Sequence, residues 1–127
     1  MPLQILLVED NADLRREIGE YLTRRLHEVT AVGTSADARA FLASPTAERL
    51  DVVLCDVNLQ DGDGIDLFVE LGALRPACSW LLMSGNADPQ RLATARQRSP
   101  QLPSCTLVAK PVSLRELANL ISSRVCP

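Results

Sequence analysis

The sequence predicts an α/β fold: a three-layer sandwich in which a five-stranded parallel sheet, in the order 2-1-3-4-5, carries helices on both faces. Three observations lead there. Short apolar runs such as Ile5-Leu6-Leu7-Val8 and Val52-Val53-Leu54-Cys55 are continuous rather than alternating, as in strands covered on both sides. Segments with apolar residues at three- and four-residue spacing separate the runs, and this alternation calls for parallel strands joined by crossover helices. Four of the runs end in a polar group: Glu9-Asp10, Asp56, Ser84 and Lys110. In a sheet of this order strands one and three border the point where the winding reverses, so their polar ends meet.

Each element has its own signal. Ile5 to Val8 is the first strand, and Asn11 or Asp13 caps a helix with Leu14, Ile18, Tyr21, Leu22 and Leu26 on its apolar face. Glu28 to Val32 is a brief second strand. Gly33-Thr34-Ser35 turns into a helix built on Ala36, Ala38, Ala40, Phe41 and Leu42, with Pro45 beyond its end. Asp51 to Cys55 is the third strand, and Asp61-Gly62-Asp63-Gly64 is a tight loop before a helix carrying Ile65, Leu67, Phe68, Leu71 and Leu74. Ser79 to Met83 is the fourth strand, with Trp80 as core filler. Asp88-Pro89 then has the form of an N-cap followed by proline at the first helical position. The helix it opens offers little apolar area, only Leu92, Ala93 and Ala95, and leads to the rigid connector Ser99-Pro100-Gln101-Leu102-Pro103. Thr106 to Ala109 is the fifth strand, and Ser113-Leu114-Arg115-Glu116 is a capping box opening a last helix with Leu114, Leu117, Leu120 and Ile121 inward.

The 127 residues, 46% hydrophobic and 23% charged, fit one domain spanning 1–127 with a core that needs no disulfide or structural metal. A formal net charge of −3 argues against direct nucleic-acid binding by this domain. Arg91, Arg96 and Arg98 read as a solvated helix face. His27 follows a helix without a partner motif, which fits a surface or helix-end role. Cys55, Cys78, Cys105 and Cys126 are widely spaced with no CxxC pair, which excludes the usual zinc patterns and indicates reduced thiols. No apolar stretch approaches the roughly 18 residues of a membrane span. Met1-Pro2-Leu3-Gln4 lacks the basic start of a signal peptide, so the cytoplasm is the expected location and no membrane partner is expected.

The polar strand ends carry the chemistry. Carboxylates brought together repel, and at neutral pH they need a cation or raised pKa values. Oxygen ligands suit Mg²⁺, which bridges protein carboxylates and phosphate oxygens. Lys110, the only lysine in the chain, supplies positive charge for a phosphoryl group and Ser84 a hydroxyl donor, leaving ionised Asp56 as the nucleophile.

Ile5-Leu6-Leu7-Val8-Glu9-Asp10-Asn11, Leu54-Cys55-Asp56-Val57-Asn58 with Gly64, Leu82-Met83-Ser84-Gly85 and Lys110-Pro111 resemble the receiver domain of two-component response regulators, in the right order and spacing along essentially the whole chain. The resemblance implies a flavodoxin-like receiver fold. It also implies that Asp56 accepts a phosphoryl group from a sensor histidine kinase or histidine phosphotransfer protein, with Mg²⁺ (or Mn²⁺) as cofactor. Such a domain is a signalling module that catalyses its own phosphorylation and slow dephosphorylation, switching an output surface in a phosphorelay.

By the same resemblance, Glu9, Asp10 and Asp56 are metal ligands, with Asn58 contributing its backbone carbonyl. Ser84 matches the hydroxyl that moves toward the phosphoryl group, Lys110 the ion-pairing lysine, and the Lys110-Pro111 bond is expected to be cis. The output partner, or a fused output domain, is left open, as is a homodimer through the fourth and fifth helices.

Departures from the family pattern are local. Leu107 stands where Tyr or Phe is usual, Gln60 where proline is common, Gly85 where alanine is frequent, and the Pro100 to Pro103 connector replaces a glycine-containing turn. Three of them cluster around strand five and its flanking helices, the region that generally carries output in the family, and suggest standard phosphorylation with altered transmission. Two other readings follow. A receiver-like scaffold would bind its partner with little regard to phosphorylation. An aspartyl-phosphate phosphohydrolase needs Asp-x-Asp at the nucleophile, and here the second position is Asn58.

Overall fold

The computed structural model describes residues 2–86 and 88–123. Five long strands, β1 (Gln4–Val8), β2 (Glu28–Val32), β3 (Val52–Asp56), β4 (Ser79–Ser84) and β5 (Cys105–Ala109), form one sheet in the order β2-β1-β3-β4-β5. All four pairings are parallel. Between and after them run α1 (Ala12–Arg24), α2 (Ser35–Leu42), α3 (Gly64–Leu71), α4 (Pro89–Arg98) and α5 (Leu114–Ser123). The predicted architecture and strand order are therefore those of the molecule.

Strand alternation divides the core in two. Ile5, Leu7, Val52, Leu54, Leu81 and Met83 face one side, where Ile18 and Leu22 of α1 and Leu117 and Ile121 of α5 cover them. Leu6, Val8, Val53, Cys55, Trp80 and Leu82 face the other, beneath Ala38 and Leu42 of α2, Ile65, Leu67 and Phe68 of α3, and Leu92 of α4. Trp80 is 1% exposed and meets the Phe68 ring edge-on, with centroids 5.3 Å apart. No helix among the described residues is long and apolar enough to cross a membrane.

The caps follow the sequence signals. Asn11, rather than Asp13, caps α1, its side chain accepting from the Leu14 N–H at 3.0 Å. Thr34 caps α2, Asp63 caps α3 and Asp88 caps α4.

Ala36 and Ala40 of α2 are exposed, and two larger apolar residues are not where the helical pattern put them. Leu26 lies past the end of α1 at φ 72°, 77% exposed, because the chain closes the helix through Leu26 N–H to Thr23 C=O and His27 N–H to Leu22 C=O. This hydrogen-bond pattern requires a left-handed residue there. Leu74 sits in a 3₁₀ turn after α3 and is exposed, since α3 ends at Leu71. The loop expected at 61–64 proves more ordered, with Asn58–Leu59 and Gly62–Asp63 pairing as a small antiparallel ribbon.

Cys55 and Cys78 are buried free thiols, as expected, while Cys105 is half-buried in β5 and Cys126 lies outside the described residues.

Candidate functional site

Register brings the polar strand ends to one edge. Val8 pairs with Cys55, Asp56 with Met83 and Ser84 with Ala109, so Glu9, Asp56, Ser84 and Lys110 all lie at the carboxyl ends of β1, β3, β4 and β5. Lys110 Nζ stands 2.9 Å from Asp56 Oδ2 and 3.2 Å from Glu9 Oε1, reaching across from a residue 54 positions beyond Asp56. The peptide bond after it, Lys110-Pro111, is cis, as the resemblance implied.

Each carboxylate is held by a backbone donor as well. The Asn58 N–H donates to Asp56 Oδ1 at 3.1 Å, and the Asn11 N–H donates to Glu9 Oε2 at 3.1 Å. The Gln60 N–H donates to Asp10 Oδ2 at 2.9 Å. Glu9 and Asp56 are nearly closed off from solvent, with side chains 1% and 6% exposed, whereas Asp10 is half-buried. Arg15 braces the same edge from α1, its Nη1 donating to the Glu9 carbonyl at 2.9 Å.

The electrostatics follow from this packing. Burial pushes the Glu9 carboxyl above its ordinary value, and the charge of Asp56 adds to the rise, against the Asn11 amide and the Lys110 ammonium. Burial alone would lower Lys110, but its hydrogen bonds and charge pairing with Asp56 and Glu9 outweigh that and hold it above the usual lysine value. Three carboxylates facing a single ammonium leave an excess of negative charge. One oxygen from each of Glu9, Asp10 and Asp56 lies within 4.8 Å of the others, an oxygen-only donor set that suits a hard divalent ion. The carboxylates thus fit the metal that the sequence implied.

Ser84 and Asn58 are placed differently. Ser84 is buried at its strand end, and its Oγ accepts from the Asn86 N–H at 3.1 Å, within its own loop. Asn58 lies two residues beyond the end of β3, in the ribbon, and meets Asp56 through its backbone N–H. Cys55 adjoins Asp56, but burial raises its thiol, and burial likewise pushes Cys78 up to about 12, so both remain protonated and inert at neutral pH.

Sequence reasoning missed two contributors. Asp61 fastens the ribbon tip to α2, Oδ1 accepting from the Ser35 N–H at 2.8 Å and Oδ2 from the Ala36 N–H at 3.2 Å. An acidic residue 26 positions after a helix start carries no local signal of that pairing. Arg91, read as part of a solvated face, donates to Asp63 Oδ2 at 2.8 Å and to Asp66 Oδ1 at 3.1 Å, joining α4 to the cap and first turn of α3.

Known proteins resemble this chain in sequence and in fold. A sequence profile of the response regulator receiver domain matches residues 5–122. The regulatory protein VirG of Agrobacterium tumefaciens (strain 15955) is 34% identical over 125 residues, covering 97% of this chain and 44% of that protein. The two-component response regulator ORR26 of Oryza sativa subsp. japonica is 28% identical, covering 93% of this chain and 19% of that protein. The chain thus spans less than half the length of these curated relatives.

Among solved structures, a CheY-like response regulator receiver domain protein from Methanospirillum hungatei JF-1 superposes with a TM-score of 0.82 at 22% identity, covering 98% of this chain and 94% of that one. A receiver protein from Sinorhizobium medicae WSM419 reaches a TM-score of 0.77 at 27% identity, covering 97% and 94%. From the profile match and the VirG identity together, the chain belongs to the response regulator receiver domain family, the signalling modules of two-component systems.

Proposed function

We propose that Asp56 is the phosphoacceptor of this domain and that a sensor histidine kinase or histidine phosphotransfer protein is its donor. One observation carries the reading: the Asp56 carboxylate, almost fully buried at the sheet edge, has Lys110 Nζ 2.9 Å from one oxygen and two further carboxylates beside it. The lysine alone would satisfy a structural aspartate and two further carboxylates would only burden it, whereas a nucleophile toward phosphorus needs ionisation and charge compensation at once.

In the transfer, an Asp56 oxygen forms a bond to phosphorus as the phosphorus–nitrogen bond of the donor phosphohistidine breaks, and the imidazole leaves with that electron pair and takes a proton. Lys110 compensates charge on the phosphoryl oxygens, and the Ser84 hydroxyl, released from Asn86, donates to one of them. The Asn58 N–H keeps the acceptor carboxylate oriented. Glu9, Asp10, Asp56 and the Asn58 carbonyl would hold Mg²⁺, which when bound offsets the carboxylates' charge against that of the incoming phosphoryl group. The reduced thiols accord with a cytoplasmic setting. The phosphorylated state would alter a surface read by an output partner or an output segment of the same protein.

Incubation with Mg²⁺ and acetyl phosphate followed by intact-mass measurement tests the reading. A base-labile adduct of one phosphoryl group is expected in the wild type and absent from Asp56→Asn. No adduct in either protein would favour the scaffold reading, and rapid multiple turnover of ordinary phosphate esters would favour a phosphohydrolase; either result overturns the proposal.

A further inference from the structure

The chain leaves β3 at Asp56 and folds back as the ribbon Asn58–Leu59 with Gly62–Asp63, so Gln60 and Asp61 form its tip. That tip touches two distant segments. On one side the Gln60 N–H donates to Asp10 Oδ2 at 2.9 Å. On the other, the Asp61 carboxylate accepts from the Ser35 and Ala36 N–H groups at 2.8 and 3.2 Å, and Ser35 Oγ also donates to the Asp61 carbonyl at 3.2 Å. Ser35 is itself buried, and the tip is seated on it so closely that a Cβ on Gly62 would come within 2.8 Å of Ser35 Oγ. The loop is therefore fixed at both ends of a two-residue span.

We propose that Asp61 and the Gln60 backbone amide are positioning groups for divalent-cation binding: Asp61 anchors the ribbon tip to α2, and the anchored Gln60 N–H holds the Asp10 carboxylate by one oxygen, leaving the other for the cation. This rests on the reading of Asp10 as a metal ligand. Asp10 is half-buried beyond the end of β1, where nothing else among the described contacts fixes its side chain. A carboxylate free to rotate loses conformational freedom when it ligates, and a donor already in place removes part of that cost. The donor exists because residue 60 is not proline, which has no N–H to give.

Calorimetric titration of MgCl₂ into the intact chain, with melting temperatures taken in parallel without metal, tests the proposal. Gln60→Ala keeps the amide proton and is expected to bind as the wild type does. Gln60→Pro and Asp61→Ala are each expected to weaken Mg²⁺ binding by about tenfold, the size typical of losing a hydrogen-bond partner behind a metal ligand. Asp61→Asn, whose amide oxygen still accepts from α2, is expected to restore most of the affinity.

A merely structural role would lower melting temperatures and leave the affinities together. Equal Mg²⁺ affinity in the wild type, Gln60→Pro and Asp61→Ala therefore overturns the proposal, as does equal weakening by Gln60→Ala. If the wild type takes up no Mg²⁺, the metal reading of Asp10 falls and takes the positioning role with it. Uptake by the wild type with unaltered variants removes the positioning role alone.

Discussion

Gly64, the first residue of α3, has no room for a side chain. A Cβ there would lie 2.5 Å from the Asp56 carbonyl oxygen and 3.0 Å from Val57 Cα, and both are backbone atoms that no rotamer change can move. The Gly64 N–H donates to the Val57 carbonyl at 2.8 Å, so the helix start and the chain leaving β3 are held together by the contact a methyl would push apart. Gly64→Ala is expected to cost about 1–3 kcal/mol, the usual range for overpacking, read as a lower urea midpoint; an unchanged midpoint would show that the backbone yields freely. At this scale the sequence disclosed the charged centre and little of its support. Glu9, Asp10, Asp56 and Lys110 were legible because strand ends and switch-point topology bring them together whatever the details. The amides of Asn11, Asn58 and Gln60, which hold the three carboxylates, were not, since a backbone donor leaves no mark in residue identity.

Among the elements, α4 is docked in an unusual way. It buries only Leu92, against Leu117, Ala118 and Ile121 for the equally long α5. Arginines make up part of the difference. Arg91 bridges Asp63 and Asp66, while Arg96 donates from Nη2 to the Pro103 carbonyl at 2.9 Å and lies 5.8 Å above the Phe68 ring. Partly exposed ion pairs of this kind contribute about 0–1 kcal/mol each, less than a buried leucine does. Amide hydrogen exchange should therefore be faster in α4 than in α5. Arg91→Ala should accelerate α4 by up to about fivefold, the equivalent of 1 kcal/mol, and leave α5 unchanged; equal acceleration of both helices would contradict a local tether. The meagre apolar face and the Asp88-Pro89 start were plain in the sequence. The tethers were not, because arginine spacing along a helix says nothing of acids on its neighbour. Strand limits shifted by single residues at Gln4, Ser84 and Cys105, and the third strand runs Val52–Asp56 rather than from Asp51 to Cys55.

Over the whole molecule, His27 joins the start of the chain to the end of the first helix. It is buried, and its Nδ1 accepts from the Leu3 N–H at 3.1 Å, a role that the expected helix-end position only half describes. Burial, followed by nearby positive charge including Arg25, holds its imidazole below the ordinary histidine value. The unfolded chain thus takes up a proton first as pH falls, at about 6.5. His27 contributes stability that is present above that pH and lost as pH drops toward the folded value. Urea midpoints should decline between about pH 7.5 and 5.5, and His27→Asn, which keeps an acceptor, should flatten the decline. An identical slope in the variant would assign it to other groups. The layered architecture itself was readable, because continuous apolar runs alternating with amphipathic segments admit few other packings.

The division of the core by the sheet has a practical corollary. The chain has one tryptophan and one tyrosine, and they stand on opposite sides: Trp80 packs in the α2–α3–α4 layer and Tyr21 against the α1–α5 layer. Each side of the sandwich therefore carries its own built-in optical label. Indole emission and phenol absorbance, followed together, distinguish a rearrangement of one layer from a movement of both without any added dye.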